Sequence, residues 1–241
     1  MRVIEETPRY WRAIFDYPPF NVVDADVFQA LQDLLVRMET TESLRVVVFE
    51  SALPDFYLSH FDLTGKIGNV MSAIGPTGLP ILMDTFVRLT KAPVVSLARI
   101  RGCVRGVSSE FVLACDMRFA SRENTKIGHP ELGVGLHPGG GGTERLPHLV
   151  GRGRALEIVL SANDFDGDTA ERYGYVNRSL PDAELDGFVD ASHAGSAPSI
   201  GALSLRQNIS STKSLCRPSI GSSTPSLRLE QHSGGPKLRT V

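Results

Sequence analysis

Apolar positions along this chain switch repeatedly between two spacings. Residues 9–16 (RYWRAIFD) form a short run closed by Pro18 and Pro19, which predicts a strand. After Asp24, a residue suited to an N-cap, Val27, Leu31, Leu34 and Leu35 recur at helical spacing and predict a helix through about Met38. The β-branched run at 45–50 predicts a buried strand, and residues 53–63 a strand turning into a loop. Residues 64–80 are Gly-rich and read as a mobile connection. A helix is expected over 81–91, stopped before Pro93, then a buried strand over 94–98. A helix is expected after Ser109, a strand near 117–120, and a Gly-rich loop at 139–142 that leads into another helix. Further helices are expected at 151–161 and 167–173.

Strands that alternate with helices imply an α/β fold. Short strands with single helices and irregular links fit a spiral of ββα units as well as a doubly wound sheet, and periodicity does not separate the two. The pattern breaks near Ala191. From there to Val241 the chain is rich in Ser, Gly, Pro and basic residues, has no aromatic residue, and has Glu230 as its sole acid. Such composition predicts poor order. The expected organisation is a core over residues 1–190 and an atypical tail over 191–241.

The length of 241 residues allows one sizeable core. A net charge of −2 gives no global reason to expect nucleic acid or an anionic membrane as partner. No apolar run reaches membrane-spanning length, and MRVIEETPRYW lacks the apolar stretch of a secretory signal. Cys103, Cys115 and Cys216 have no metal-ligand spacing, so no metal is expected. A reducing cytoplasm is the expected location, with Cys103 and Cys115 packed in the interior.

The candidate chemistry lies between Ala98 and Val150. Glu110 follows the small-residue turn Arg105-Gly106-Val107-Ser108-Ser109 and opens an apolar helical run. Free N–H groups at that helix N-terminus would favour a developing oxyanion. The plain alternative is capping by Ser108 or Ser109 with Glu110 in the first turn. Glu131 follows Pro130, which fixes its direction; the plain alternative is an exposed loop carboxylate. His129 is expected as a loop residue and His137 as a weak candidate to line a pocket. The run Pro138 to Thr143 lacks the Lys-Ser/Thr of a phosphate loop, but its glycines permit close approach to a water or substrate. The pair Ser59-His60 has no nucleophile elbow to support it as a hydrolase site.

Over about Val46 to Pro181 the chain resembles the crotonase family, also called the enoyl-CoA hydratase/isomerase family. The resemblance is strongest over Pro93–Arg101, Glu110–Ala120 and the block GHPELGVGLHPGGGGTERLPHLVGRGRALEIVLSANDFDGDTAERYGYVNRSL. It implies a spiral of ββα repeats acting on acyl thioesters of coenzyme A, with CoA arriving as part of the substrate and no separate cofactor. It implies that Glu110 and Glu131 are the acid/base pair, that the N–H groups of Phe61 and Val107 form an oxyanion hole, that Gly139 helps hold the water, and that the Ser59 backbone meets the adenine. A homotrimer or hexamer is the implied assembly. Retention of both glutamates favours hydration of a 2,3-enoyl-CoA. An isomerase or other enolate chemistry, and an inactive acyl-CoA-binding or assembly-only relative, are the alternatives. The chain departs from the family where Gly106-Val107-Ser108 replaces three glycines and Ser59-His60-Phe61 replaces Ala-Gly-Ala. Val107 and Phe61 are thereby expected to add bulk beside the thioester.

Overall fold

The computed structural model describes residues 1–62 and 73–194. Strands β1 (Arg2–Thr7) and β2 (Tyr10–Phe15) form an antiparallel hairpin, and helix α1 (Ala25–Thr40) follows. The Asp24 side chain caps α1 by accepting from the Val27 N–H at 2.8 Å, as its position predicts. Val27, Leu31, Leu34, Leu35 and Met38 are all buried on one face of α1.

Strands β3 (Val46–Ser51), β4 (Phe56–Leu58), β5 (Val95–Arg105) and β6 (Met117–Gly128) build the body of the sheet, with α2 (Ile81–Lys91) before β5 and α3 (Val107–Ala114) after it. The order is β1-β2-β3-β5-β6, with β7 (Asp164–Asp166) beyond β6. β5 is longer than the apolar run at 94–98 predicts. Its first half pairs in parallel with β3, through Val95 to Ala98, and its second half pairs with β4 at Cys103 and Val104. β6 behaves alike: Phe119 to Ser121 pair with β8 (Arg178–Leu180), and Lys126 to Gly128 with β7. Each long strand thus changes partners along its length within one sheet, as in a ββα spiral and not a doubly wound sheet.

The change of partner along β5 falls at Gly102. It has φ +75°, and a Cβ there would lie 2.3 Å from the Asp55 carbonyl carbon. Only glycine fits where the 55–56 segment crosses so closely. The β5–β6 register shifts between Ile100 and Gly102 at the same place.

A 3-10 helix (Pro130–Val134) is followed by α4 (Gly142–Val150), α5 (Arg152–Ser161), α6 (Gly167–Tyr173) and α7 (Asp182–Ala194). α7 packs over the first halves of β5 and β6. Buried Arg99 pairs with Glu50 at 3.1 Å and with Asp186 at 3.2 Å, and Arg101 pairs with Asp182 and Asp186 at 2.8 Å. The organisational change expected at Ala191 falls inside α7, and residues 195–241 lie outside the described residues. So does most of the expected Gly-rich connection at 64–80. Its described part, from Ala73, forms turns that end in a bridge between Ile74 and Pro80. Among the described residues no helix is long and apolar enough to cross a membrane.

Candidate functional site

Helix α3 is the centre of the site, and all eight of its residues are buried. Its hydrophobic side chains lock it in place: Phe111 meets Phe15, Phe49 and Phe86 with ring centroids 5.6, 5.1 and 6.1 Å apart. Buried Arg118 on β6 secures the other end. Its guanidinium donates to the carbonyls of Val112 and Cys115 at 3.3 and 2.8 Å, a cation at a helix C-terminus. The helix begins earlier than Ser109. Gly106 is its N-cap, with φ +60° and ψ −126°, and Val107 is its first residue. This corrects the expectation of a serine cap. The Ser109 hydroxyl instead lies 2.9 and 2.7 Å from the carbonyls of Val104 and Gly128, sharing its one proton between the ends of β5 and β6.

Glu110 is therefore a carboxylate carried on an apolar helix. It is 2% exposed. Its Oε1 accepts the N–H groups of Gly140 and Gly142 at 2.7 and 2.9 Å. Burial pushes its carboxyl up to about 7; the two N–H bonds oppose that rise, and the nearby charge of Glu131 adds to it. The glycine run is needed for this approach. A Cβ on Gly140 would lie 2.8 Å from Glu110 Oε2 and 2.8 Å from Phe86 Cε2. Arg145 on α4 fixes the loop from behind, donating to the Gly140 carbonyl at 2.9 Å.

Glu131 sits on the 3-10 helix, with Pro130 opening the turn as expected. Both carboxylate oxygens are buried and lack a hydrogen-bond partner among the described residues, so the reading as an exposed loop carboxylate fails. Burial raises its carboxyl too. Gly106 lies against it: a Cβ placed there would be 3.6 Å from Glu131 Oε1 and 3.6 Å from His60 Cβ. Thus Gly106 brings the start of α3, the end of β4 and Glu131 into one place.

Val107 and Phe61, whose backbone N–H groups were named from sequence, each follow directly on a residue of this meeting point, Gly106 and His60. Val107, first residue of α3, has an N–H with no partner inside the helix. Gly106 carries the positive φ, so the β-branched Val107 escapes that strain. Phe61 bridges Val23 in parallel: the Val23 N–H donates to the His60 carbonyl at 3.1 Å and the Asp62 N–H to the Val23 carbonyl at 3.0 Å. That pattern turns the Phe61 N–H to the opposite side. The bulk expected from these residues is largely absorbed by packing. Val107 is 5% exposed within the core, and Phe61 packs against Phe28 with centroids 6.5 Å apart.

Ser59 is buried. Its N–H donates to the Asn21 carbonyl at 2.8 Å and its hydroxyl to the Phe20 carbonyl at 2.6 Å. It borders an open depression of about 220 Å3, lined also by Phe20, Phe56, His60, Cys103 and Arg105. Cys103 is half-exposed there, which corrects the expectation of a packed thiol; it occupies an outward position of β5, where burial alternates. Cys115 is buried as expected. Gly139 is exposed beside Gly140, and it is Gly140 and Gly142 that hold Glu110. His137 is exposed. His129 is in a loop but fully buried, next to Tyr175, and sequence reasoning assigned neither a part in the site.

Two buried carboxyls converge beside a helix N-terminus in a ββα spiral. Such a site can move protons next to a carbonyl whose developing negative charge is held by backbone N–H groups. The chain belongs to the enoyl-CoA hydratase/isomerase family, whose model matches residues 13–191. It is 33% identical over 164 residues to a fatty acid oxidation complex subunit alpha of Aliivibrio fischeri, a match covering 67% of this chain and 24% of that protein. It is 30% identical over 168 residues to a short-chain-enoyl-CoA hydratase of Clostridium acetobutylicum, covering 68% of this chain and 62% of that one. The chain thus spans less than two thirds of either relative. Among solved structures, a candidate enoyl-CoA hydratase from Streptomyces avermitilis superposes with a TM-score of 0.81 at 42% identity, covering 88% of this chain and 77% of that one.

Proposed function

We propose that this chain adds water across the 2,3 double bond of an enoyl-CoA thioester. The observation that carries the reading is the paired placement of Glu110 and Glu131. Glu110, whose carboxyl is pushed up to about 7, is divided between acid and base near neutrality. Glu110 in its ionised form takes a proton from the attacking water, which the Gly139 backbone helps hold. The N–H groups of Phe61 and Val107 stabilise the enolate that forms as water adds to the β carbon. Glu131 then gives its proton to the α carbon. The adenine of CoA lies along the depression beside Ser59. With the Ser59 N–H and hydroxyl engaged internally, its carbonyl is the group left to accept from the adenine amine.

The order imposed on Glu110 favours hydration over isomerisation. Isomerisation can run on the Glu131 carboxyl alone, and a carboxylate aligned by two N–H groups has no task in it. The test is loss of the conjugated enoyl-thioester absorbance on adding protein to a panel of 2,3-enoyl-CoA esters. Hydration by the wild type and its loss in Glu110→Gln support the reading. Shift of a 3,4 double bond at an unchanged rate in Glu110→Gln would replace it with isomerisation. CoA ester binding without turnover would leave a binding protein.

A further inference from the structure

His129 is wholly buried, yet its Nδ1 has no hydrogen-bond partner among the described residues, and it stands 3.9 Å from Glu131 Oε2. Its Nε2 is 3.4 Å from the Tyr175 hydroxyl, whose oxygen is 3.2 Å from the Ser109 carbonyl. A carbonyl only accepts, and it is the nearer of the two contacts, so the single phenolic proton is assigned to Ser109. The Tyr175 oxygen can then only accept from His129, which places the imidazole proton on Nε2. Burial keeps the ring neutral, so Nδ1 is left with a lone pair facing the Glu131 carboxyl. A lone pair facing a carboxylate is unfavourable. Facing a carboxylic acid, it becomes an acceptor once the two close by about 1 Å to hydrogen-bond distance.

We propose that His129, fixed in its Nε2–H tautomer by Tyr175, is a positioning residue that keeps the proton of the glutamate pair on Glu131. The inference rests on the hydratase reading for its purpose, since that reaction needs Glu131 as the acid and Glu110 as the base. It answers a question the pair alone leaves open: which of two neighbouring carboxyls holds their shared proton. The chain of donors runs from Glu131 O–H to His129 Nδ1, from His129 Nε2–H to Tyr175, and from Tyr175 O–H to the Ser109 carbonyl. Ser109 is the residue before Glu110 on α3, so the relay starts at one glutamate and ends beside the other. In turnover the Glu131 proton forms the new C–H bond at the α carbon and Glu110 takes a proton from water. Exchange with solvent then restores both groups.

The other charged or titratable groups around the pair come from five further places. They are Arg145 on α4, His60 beyond β4, Tyr175 between α6 and β8, and the Arg105–Asp164 ion pair at the ends of β5 and β7. Of these, Arg145 favours the charged form of Glu110 and so works in the same direction as the relay.

The first experiment needs no variant of the relay. The 15N spectrum of imidazole-labelled protein, with His129 assigned by its absence in His129→Gln, reports which ring nitrogen carries the proton. The expected result is Nε2–H with a bare Nδ1; Nδ1–H at neutral pH would overturn the proposal. The second is a 13C titration of the Glu131 carboxyl in a Glu110→Gln background, which removes the coupled partner. Adding Tyr175→Phe or His129→Leu should lower the Glu131 midpoint by about one pH unit, a tenfold change in proton affinity. His129→Gln, which keeps a carbonyl acceptor, should restore most of that shift. An unchanged midpoint in folded Tyr175→Phe would overturn the proposal. Neither readout uses turnover. A protein that titrates as expected but does not hydrate enoyl-CoA refutes the hydratase reading alone, and one that hydrates but shows an unmoved midpoint refutes the relay alone.

Discussion

At the scale of single residues, Glu110 combines a large desolvation cost with two compensating N–H groups. Its carboxyl is raised from 4.5 to about 7, so the folded state binds the proton more tightly than the unfolded state does. The stability linked to that proton is full below about pH 4.5 and is lost as pH rises through about 7. Glu110→Gln, which stays neutral, should therefore gain on the wild type by roughly 2–3 kcal/mol between pH 5 and pH 8. Urea denaturation at the two pH values checks this, and equal stability changes at both would contradict it. The same residue should set the acid limb of kcat/KM near pH 7, because only its ionised form can take a proton from water. Both glutamates were legible in the sequence because each stands at a break in local structure, one before an apolar run and one after a proline. Taken alone, each had an ordinary explanation. Tyr175 was not legible: it reaches His129 across 46 residues, and no local pattern encodes a contact that tertiary packing creates.

Among the elements, the short apolar runs were read correctly and their polar continuations were not. β5 extends from its apolar start through Arg101, Gly102 and Cys103, and β6 through Arg122 to Lys126. Those second halves pair with β4 and β7, so their polar residues sit on partly exposed ladder positions where hydrophobic periodicity fades. The missed halves are also what separates the spiral from a doubly wound sheet. The Gly-rich loop before α4 was legible as a place of close approach, but not which glycine makes it. The family resemblance singled out Gly139, for holding the water, while the exposed side of the loop falls there and the buried side at Gly140. Gly140→Ala should drive a methyl into Glu110 and Phe86. The expected result is a loss of about 1–3 kcal/mol in stability together with a fall in turnover. Gly139→Ala has open space, a Cβ there meeting nothing nearer than the His137 carbonyl at 4.0 Å. It should leave stability within about 0.5 kcal/mol. Chemical denaturation of the two variants side by side separates these outcomes, and equal losses would contradict the assigned geometry.

For the whole molecule, an exposed apolar surface lies beside the glutamates. Val134, Leu136, Leu149, Leu156 and Leu160 are exposed on the 3-10 helix, the loop after it, α4 and α5. Apolar side chains concentrated in consecutive elements favour association. A homotrimer is the assembly the family resemblance implies. Light scattering coupled to size exclusion should then give about three times the chain mass of 26.2 kDa, or twice that multiple for a hexamer. A monomer at micromolar concentration would contradict it. The charge balance, with only −2 overall, gives no global reason to expect nucleic acid or an anionic membrane as partner.

The central claim is that Glu110 and Glu131 act together on an enoyl thioester. Its most direct measurement is the initial rate at which the conjugated absorbance of a short 2,3-enoyl-CoA disappears, for the wild type, Glu110→Gln and Glu131→Gln at neutral pH. Hydration by the wild type, with kcat lowered roughly 10²–10⁴-fold in each variant while both still bind the ester, is the expected result. A wild-type rate retained by either variant would contradict the claim.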